Sequence, residues 1–308
     1  MRWCRRISRV LVLFGGQSSE HAVSCVTAAG VLNAIDDDRF EVVPVGITAA
    51  GQWVRPSRDP KAYSFSEGEL PRVEAAGATV QLFSGAAGST QRSAELLEIG
   101  ADGAVSSLGE VDVVLPLLHG PFGEDGTVQG LLELAGLPYV GAGVLASAVG
   151  MDKHFMKIAF EAAGLKVGPY VTITARQWAE DPAGAVERVR GLRLPVFVKP
   201  ARAGSSVGIT RVQEWSQLEE AIVEAQKHDP KVVVEQGLAG REIECGVLGG
   251  RGTSRRRPRC AGRSWSTMGP RRISSMTSRR STPMLRPLIC RVRRICRRRS
   301  ARRSAVRR

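Results

Sequence analysis

Residues 9–21 read RVLVLFGGQSSEH, an apolar run that stops at two glycines and continues into polar residues that cap helices. A short apolar run bounded by glycine is typical of a strand buried in a parallel sheet, and capping residues before an apolar-periodic segment indicate a helix start. We therefore predict a strand at 9–14 and a helix from Glu20 to Ile35. The carboxylate of Glu20 either complements the helix dipole or faces the ammonium group of a substrate.

The same alternation of strand and helix continues downstream of this stretch. Apolar runs predict strands at 40–48 and 111–118, and a helix follows at 126–135. Residues 55–110 are weakly patterned and rich in Gly, Ser and Ala, so we expect irregular structure there with a strand or two. Strands alternating with helices predict a parallel α/β sheet.

From Ala146 the pattern changes to an antiparallel-leaning α+β unit. A helix is predicted from Ala146 to about Ala163, where Gly164 supplies a C-cap. The remaining elements predicted are strands at 170–174, 195–199, 209–212, 231–235 and 242–248, with helices at 178–190 and 215–228. We accordingly divide the chain into an N-terminal extension (1–8), an α/β domain (9–150), a second domain (151–250) and a tail (251–308).

Three further segments carry residue types suited to ligand binding. LLHGPFGEDG at 117–126 ends a buried strand, which is where open α/β sheets bind ligands, although His119 and Glu124 also fit a structural hydrogen-bonded cluster. VKPARAGSSVG at 198–208 places Lys199 before a Gly-Ser loop. The lysine charge and the backbone N–H groups of the loop can hold phosphate. The segment is not a Walker A loop, because the lysine precedes the glycines rather than following them. The alternative is a plain hairpin connection. VVVEQGLAGREIE at 232–244 is a strand that ends in an acidic residue and a short linker, which can bind adenine through backbone groups with Glu242 positioned for ribose hydroxyls; the segment by itself is a weak signal.

The net charge of +14 divides sharply along the chain. Residues 251–308 contain 21 Arg and no Lys, Asp or Glu, which leaves 23 basic against 30 acidic side chains in residues 1–250. The first part has the composition of an ordinary globular protein, whereas an arginine-dominated segment buries too little apolar area to offset its ordering entropy. We expect the tail to be disordered and to lack a core.

Other sequence features indicate a cytoplasmic protein. The sequence contains no run of 18 apolar residues, so it predicts no transmembrane helix. The apolar run at 10–14 is too short for a signal peptide. The six cysteines show neither CxxC pairs nor zinc-ligand spacing, so we expect unpaired thiols in a reducing compartment.

The order of the motifs along the chain resembles the D-alanine–D-alanine ligase family of the ATP-grasp superfamily. The resemblance rests on LFGGQSSEHAVS (13–24), the segment LHGPFGEDG…GMDK (118–153), LPVFVKPARAGSSVGITRV (194–212) and HDPKVVVEQGLAGREIECGV (228–247). It implies the fold of an N-terminal α/β domain followed by an ATP-grasp domain. It also implies the ATP-dependent joining of two D-alanines, through an acyl phosphate, for peptidoglycan synthesis and cell wall biogenesis.

The resemblance also implies roles for individual residues. Glu20 would bind the ammonium of the first D-alanine, Ser205 would help to position it, and His119 and Glu124 would lie on the substrate side. Lys153 and Lys199 would hold the ATP phosphates. The remaining nucleotide contacts would come from Ser206 in the loop, from Glu242 on the ribose, and from an adenine linker formed by Glu235, Gln236, Gly237 and Leu238.

Cofactor and partner expectations follow from the same resemblance. The family implies ATP as substrate, Mg²⁺ or Mn²⁺ as metal, a homodimer and no membrane association. No metal ligand is assigned in this chain, because the family's magnesium carboxylates belong after Gly250 and the last acidic residue here is Glu244. A related D-alanine–D-lactate ligase is one alternative. A genuine nucleic-acid-binding tail, which would hold the phosphate backbone without sequence specificity, is the other.

The tail itself suggests a shifted reading frame. The family pattern contains a mobile loop reading Phe-Tyr-Asp-x-Glu-Ala-Lys-Tyr, which is absent. The codons of SSMTSRRST (274–282), read one base earlier, permit Phe-Tyr-Asp-Phe-Glu-Ala-Lys-Tyr, and Met276–Thr277 forces the aspartate. We therefore expect a frameshift near Gly250 and an inactive product. The last shifted codon permits Tyr or His, so it does not separate the D-alanine and D-lactate alternatives.

Overall fold

The structure is a computed structural model that describes five stretches of the chain with their side chains. These are residues 8–65, 69–75, 77–83, 94–204 and 206–240, and the backbone of Ser84 is described as well. It also describes the backbone of residues 243–246 and 261–264. Within these residues no helix is both long and apolar enough to cross a membrane.

The first domain is built on a four-stranded sheet with the strand order β3-β2-β1-β7. The sequence expectation of a parallel α/β arrangement is confirmed, since β1 pairs in parallel with both β2 and β7. The short β3 pairs antiparallel to β2 at the sheet edge. The strands are β1 (Ser8–Gly15), β2 (Phe40–Ile47), β3 (Trp53–Val54) and β7 (Val113–Pro116).

Strand β1 is buried on both faces, which explains its uninterrupted apolar sequence. Leu11 and Leu13 point into a core shared with α2 (Thr127–Leu134). The alternate residues Val10, Val12 and Phe14 join a second core with α1 (His21–Leu32). The two-residue period of the strand thus supplies both layers of the domain from one segment.

The region 55–110 contains more regular structure than the sequence predicts. Strands β4 (Thr79–Ser84), β5 (Ala94–Ile99) and β6 (Val105–Val111) form an antiparallel three-stranded sheet. The predicted strand 111–118 is correspondingly wrong at its start, because Val111 ends β6 and β7 begins at Val113. Between these strands the Asp112 carboxylate accepts a hydrogen bond from the backbone N–H of Arg9 at 2.8 Å, which fixes the break.

The single helix predicted at 146–163 is two helices, α3 (Val144–Met151) and α4 (Lys153–Ala162). Asp152 has extended backbone angles and its side chain accepts hydrogen bonds from the N–H groups of His154 and Phe155, so it starts a new helix. The helix predicted at 178–190 divides in the same way into α5 (Ala175–Glu180) and α6 (Pro182–Arg190), with Asp181 as the cap.

The second domain contains a four-stranded antiparallel sheet, which agrees with the antiparallel α+β unit expected from the sequence; the strand order, which the sequence did not predict, is β10-β9-β11-β8. Helices α6 and α7 (Leu218–Gln226) cover one face and contribute buried residues at helical spacing to its core. The opposite face carries alternate residues of the central strands and contacts α4. The strands are β8 (Tyr170–Thr174), β9 (Val196–Pro200), β10 (Thr210–Val212) and β11 (Lys231–Gln236).

One piece of the basic tail is described, and it is a strand. Residues Ala261–Ser264 (β13) pair antiparallel with Ile243–Gly246 (β12). The sequence predicts β12 but no regular structure after residue 250. The other residues of the tail, with the expectation that they lack a core, lie outside the described part of the chain.

Candidate active site

The junction between β1 and α1 is fixed by buried hydrogen bonds. Gly15 and Gly16 have φ of 88° and 99°, a left-handed conformation that favours glycine. The buried Ser24 hydroxyl accepts a hydrogen bond from the Gly15 N–H at 2.8 Å and donates one to the Leu117 carbonyl at 2.6 Å. This hydroxyl therefore joins the ends of β1 and β7, which lead into the two segments that carry Glu20 and His119.

The carboxylate of Glu20 lies against two glycines from different motifs. A Cβ atom on Gly204 would come within 2.8 Å of its Oε2, and a Cβ atom on Gly120 would be closer still. An added Cβ at either position would force the carboxylate or the loop to shift, and at Gly120, whose φ is 71°, a side chain would also strain the backbone. The three segments that the sequence analysis singled out separately, 15–21, 117–126 and 198–208, meet at this half-buried side chain.

His119 and Glu124 are placed beside the cleft and contact the protein itself. The ring Nε2 of His119 lies 3.1 Å from the hydroxyl of Thr27 on α1, and its carbonyl accepts a hydrogen bond from Ser18 at 2.7 Å. Glu124 accepts a hydrogen bond from the N–H of Gly120 at 2.7 Å. These contacts shape the loop, and a direct role toward substrate stays a prediction for both residues.

Asp125 reinforces the same loop at its far end. Its carboxylate accepts hydrogen bonds from the N–H groups of Phe122 (2.8 Å) and Thr127 (3.0 Å). Burial alone would raise the pKa of Asp125, but these hydrogen bonds hold it below its ordinary value. The Asp125 carboxylate is therefore negatively charged at neutral pH and stabilises the loop through these hydrogen bonds.

Lys153 and Lys199, predicted to bind phosphate, lie close together and are engaged differently. The Lys153 ammonium donates hydrogen bonds to the carbonyls of Ala203 (2.6 Å) and Pro200 (3.2 Å). Burial, and then the charge of Lys199, lower the pKa of Lys153. The Lys199 ammonium lies 2.6 Å from the carboxylate of Glu235.

A third lysine, Lys157, belongs to the same cluster and was missed from the sequence. Its ammonium lies 3.2 Å from the other oxygen of Glu235 and 5.1 Å from the centre of the Tyr170 ring. Lys157 follows Lys153 by four residues, so the two share one face of α4, and that spacing was the available signal. Burial would raise the pKa of Glu235, but the hydrogen bonds and charges of Lys199 and Lys157 hold it below its ordinary value.

The predicted adenine linker begins at this carboxylate. The N–H of Gln236 donates to Pro169 and that of Gly237 donates to Pro195, at 3.0 and 2.8 Å. The N–H groups of Gln236 and Gly237 are therefore already engaged, so a ligand that accepts a hydrogen bond from a backbone N–H of the linker must use Leu238 or a later residue. The Leu238 side chain is 71% exposed.

The loop after β9 is described in part. Ser206 has φ of 60°, an unusual conformation for a residue other than glycine, and is exposed. Two predicted site residues, Ser205 and Glu242, lie outside the described residues.

The donor set of the cluster suits an anion. The Glu235 carboxylate is paired with two ammonium groups, those of Lys157 and Lys199, and it also interacts electrostatically with the Lys153 ammonium. The cluster therefore has more cations than carboxylates. In the described part of the chain no three His, Cys, Asp or Glu side chains are arranged to hold a metal ion. These residues therefore do not fit the divalent metal that the resemblance implies, whereas they do fit phosphate groups.

A separate cavity of about 690 Å³ opens beside this cleft, between the two domains. The first domain lines it with Pro121, Asp125 and Thr127. The second domain contributes Arg202 and Asp229 at the root of the loop.

Comparison with known protein families gives two adjacent matches. Residues 9–142 match the family described as D-ala D-ala ligase N-terminus, and residues 159–259 match D-ala D-ala ligase C-terminus. The second match extends nine residues beyond Gly250, where the sequence resemblance was expected to stop.

Individual relatives agree with these matches. A D-alanine–D-alanine ligase from Arthrobacter sp. (strain FB24) is 58% identical over 245 residues, which is 80% of this chain and 63% of that protein. The solved D-alanine–D-alanine ligase from Coxiella burnetii shares 31% identity with a TM-score of 0.65, over 82% of this chain and 69% of that one. The VanG D-Ala:D-Ser ligase from Enterococcus faecalis shares 34% identity with a TM-score of 0.63, over 79% and 66%. The chain thus spans less than two thirds of the length of the curated relative.

Proposed function

The chain belongs to the D-alanine–D-alanine ligase family, and on that premise we propose that it carries the first-substrate and nucleotide sites of an ATP-dependent ligase that joins two D-alanines. The observation that carries the proposal is the Glu20 carboxylate between Gly120 and Gly204, next to the lysine cluster. One cleft thereby offers an acceptor for a substrate ammonium and a set of cations for a nucleotide. The product would serve peptidoglycan synthesis.

The proposed chemistry has two steps that the family resemblance implies. The carboxylate of the first D-alanine attacks the γ-phosphorus of ATP, forming an acyl phosphate and releasing ADP. The amine of the second D-alanine then attacks the acyl carbon, so that the C–N bond forms, phosphate leaves and the amine loses a proton. Both steps move negative charge between oxygens, and fixed cations stabilise such a transfer.

The residues take distinct parts in this proposal. Glu20 accepts hydrogen bonds from the ammonium of the first D-alanine, whose orientation Ser205 completes. Lys153 and Lys199 neutralise the phosphates beneath the loop that contains Ser206. The linker from Glu235 to Leu238 holds the adenine, and Glu242 holds the ribose.

For Lys199, phosphate binding requires a change of partner. Its ammonium is paired with Glu235, so an incoming phosphate has to share or replace that carboxylate. Lys157 keeps the other oxygen of Glu235 neutralised in the meantime.

Several parts of the proposal rest on sequence and family alone. A homodimer, a cytoplasmic location and Mg²⁺ or Mn²⁺ in the complete enzyme follow from the resemblance. Because residues 245–308 contain no Asp or Glu, we also propose that this chain does not turn over as written. The VanG relative is named for D-Ser as its second substrate, so D-alanine, D-serine and D-lactate should be compared as second substrates.

A nucleotide titration tests the proposal without requiring turnover. Calorimetric titration of the chain with a non-hydrolysable ATP analogue is expected to show saturable binding that Lys199→Ala weakens at least tenfold. Lys227→Ala is the matched control, because Lys227 is an exposed lysine paired with Glu224 on the far side of α7 from the sheet. Equal binding by the wild type and Lys199→Ala, or none by the wild type, would contradict the nucleotide site.

A further inference from the structure

The carboxylate of Asp229 joins two segments of the second domain and is only 3% exposed. It accepts hydrogen bonds from the backbone N–H of Arg202 at 2.8 Å and from the guanidinium at 2.9 and 3.0 Å. It also accepts one from the N–H of Lys231 at 2.9 Å. Both oxygens therefore accept hydrogen bonds, from Arg202 at the start of the loop that follows β9 and from Lys231, the first residue of β11. We call residues 200–203, where that loop begins, the loop root.

The charge of Asp229 is needed for this arrangement. Burial would raise its pKa, but the hydrogen bonds from Arg202 hold the pKa below its ordinary value. A guanidinium that meets a carboxylate through two N–H groups is held in position and orientation, unlike a single point contact. An amide in place of the carboxylate would turn one acceptor into a donor that faces other donors.

A second ion pair extends from the same strand to α4. The Lys231 ammonium lies 2.5 Å from the Asp152 carboxylate, which is itself buried. The other oxygen of Asp152 caps α4 through His154 and Phe155. Lys153 is the first residue of that helix, so β11 fixes the start of the element that presents it.

The loop root and Lys153 also hold each other directly. The Lys153 ammonium donates to the carbonyls of Pro200 and Ala203, and its backbone N–H donates to Ala201 at 3.0 Å. Residues 200–203 are thus held by Lys153 on one side and by Asp229, through Arg202, on the other. If Arg202 were released, the carbonyls that hold the Lys153 ammonium would lose one of their supports, while the hydrogen bond from the Ala201 N–H to the Lys231 carbonyl at 2.9 Å would remain.

We propose that Asp229 is a positioning residue for phosphate binding: it fixes Arg202 and the loop root, and through them the ammonium of Lys153. The inference rests on the proposed function, since it assigns a purpose to a residue that has no ligand contact in that proposal. The sequence alone did not indicate it, because Asp229 and Arg202 are 27 residues apart.

The test compares Asp229→Asn with Asp181→Asn in the full chain. Asp181 is a suitable control because its carboxylate also accepts a backbone N–H, from Gly184, but caps α6 away from the lysines. Asp229→Asn is expected to weaken binding of the ATP analogue at least tenfold and to speed amide exchange at 201–208 by a similar factor. Exchange in β8 and α6 should not change, and Asp181→Asn should leave both the nucleotide affinity and exchange at 201–208 unaltered.

A milder variant keeps the test informative if Asp229→Asn does not fold. Arg202→Lys retains the charge but removes the two-pronged contact, and it is expected to weaken nucleotide binding several-fold. Wild-type nucleotide affinity in the folded variants would overturn the positioning role, whether or not exchange at 201–208 changes. If the wild type itself binds no nucleotide, the proposed function fails instead, and the inference fails with it.

Discussion

The ammonium of Lys199 and the carboxylate of Glu235 form an ion pair of 2.6 Å across the two central strands of the second sheet. In the register of β9 and β11, Lys199 faces Val233 and Glu235 faces Phe197, so the pair is diagonal and its long side chains bridge the offset. The lysine that we propose to bind phosphate is therefore paired with a carboxylate of the protein itself.

Removing that carboxylate should destabilise the fold. Glu235→Gln leaves Lys157 and Lys199 without their counter-charge, and loss of one partner of a largely buried pair costs on the order of 1–3 kcal/mol when discounted for partial solvent access. Urea unfolding measures the difference. Glu224→Gln, which breaks an exposed pair with Lys227, is the control and should leave the midpoint unchanged. Equal midpoints for all three proteins would contradict the contribution assigned to this pair.

Acid should destabilise the second domain through the same carboxylates. Glu235 and Asp229 have folded-state pKa values below their ordinary ones, so the unfolded chain binds more protons than the folded chain in mild acid. Their contribution is fully present above the unfolded values, which are about 4.3 for Glu and about 3.9 for Asp, and is lost as the pH falls through the folded values. Urea unfolding from pH 7 to pH 3 should show this decline. The decline should be shallower in Glu235→Gln, and equal slopes would argue against Glu235 as a source.

The parts of the fold that sequence predicted well are those with one dominant pattern. Strand β1 was predicted because burial on both faces produces an unbroken apolar run. Helix α1 begins close to its predicted start, although no side-chain hydrogen bond caps it, and it ends at Leu32 rather than at Ile35. For the sheet β4-β5-β6 the sequence predicted only a strand or two in irregular structure. The packing of this sheet depends on Leu96 and Val80, which enter a core that β1 and α2 build. A weak local pattern gives no sign of that distant contribution.

The site shows the same division between local and distant information. Glu20 and Lys199 belong to glycine-containing segments that the sequence alone singles out, so they could be proposed as site residues. Lys157 and Asp229 act through partners that are far away in the sequence, Glu235 and Arg202. The break at Asp152, which starts α4 with Lys153, also depends partly on its pair with Lys231 in another element.

Substitution of Gly204 tests the close approach of Glu20. In Gly204→Ala the new methyl group would lie 2.8 Å from the Glu20 carboxylate, so the carboxylate or the loop has to shift. We expect D-alanine affinity, measured by titration, to fall at least tenfold. Gly130→Ala in α2 is the matched control, because nothing lies within 4 Å of its added Cβ, and it should bind normally with a slightly more stable helix. Unchanged D-alanine affinity in Gly204→Ala would contradict the proposal that Glu20 binds the substrate ammonium.

The tail should be the product of a shifted reading frame. The family match ends at residue 259, and the codons of residues 274–282 permit the missing loop pattern in the shifted frame. Resequencing should show a one-base insertion or deletion upstream of the codon for Ser274, near that for Gly250. The chain as written should release no phosphate in response to D-alanine, because loss of even one preorganised oxyanion donor costs about 10²–10³ in kcat and more than one group is missing here.

Repair of the frame should restore turnover, and Lys199→Ala in the repaired chain should lower kcat/KM for ATP at least a hundredfold. Normal turnover by the 308-residue form would refute both the frameshift and the assignment of the missing groups. An intact frame in the gene would favour the alternative in which the 21 arginines bind nucleic acid. In that case binding to a random DNA duplex should weaken steeply as salt is raised, because each neutralised phosphate releases counterions.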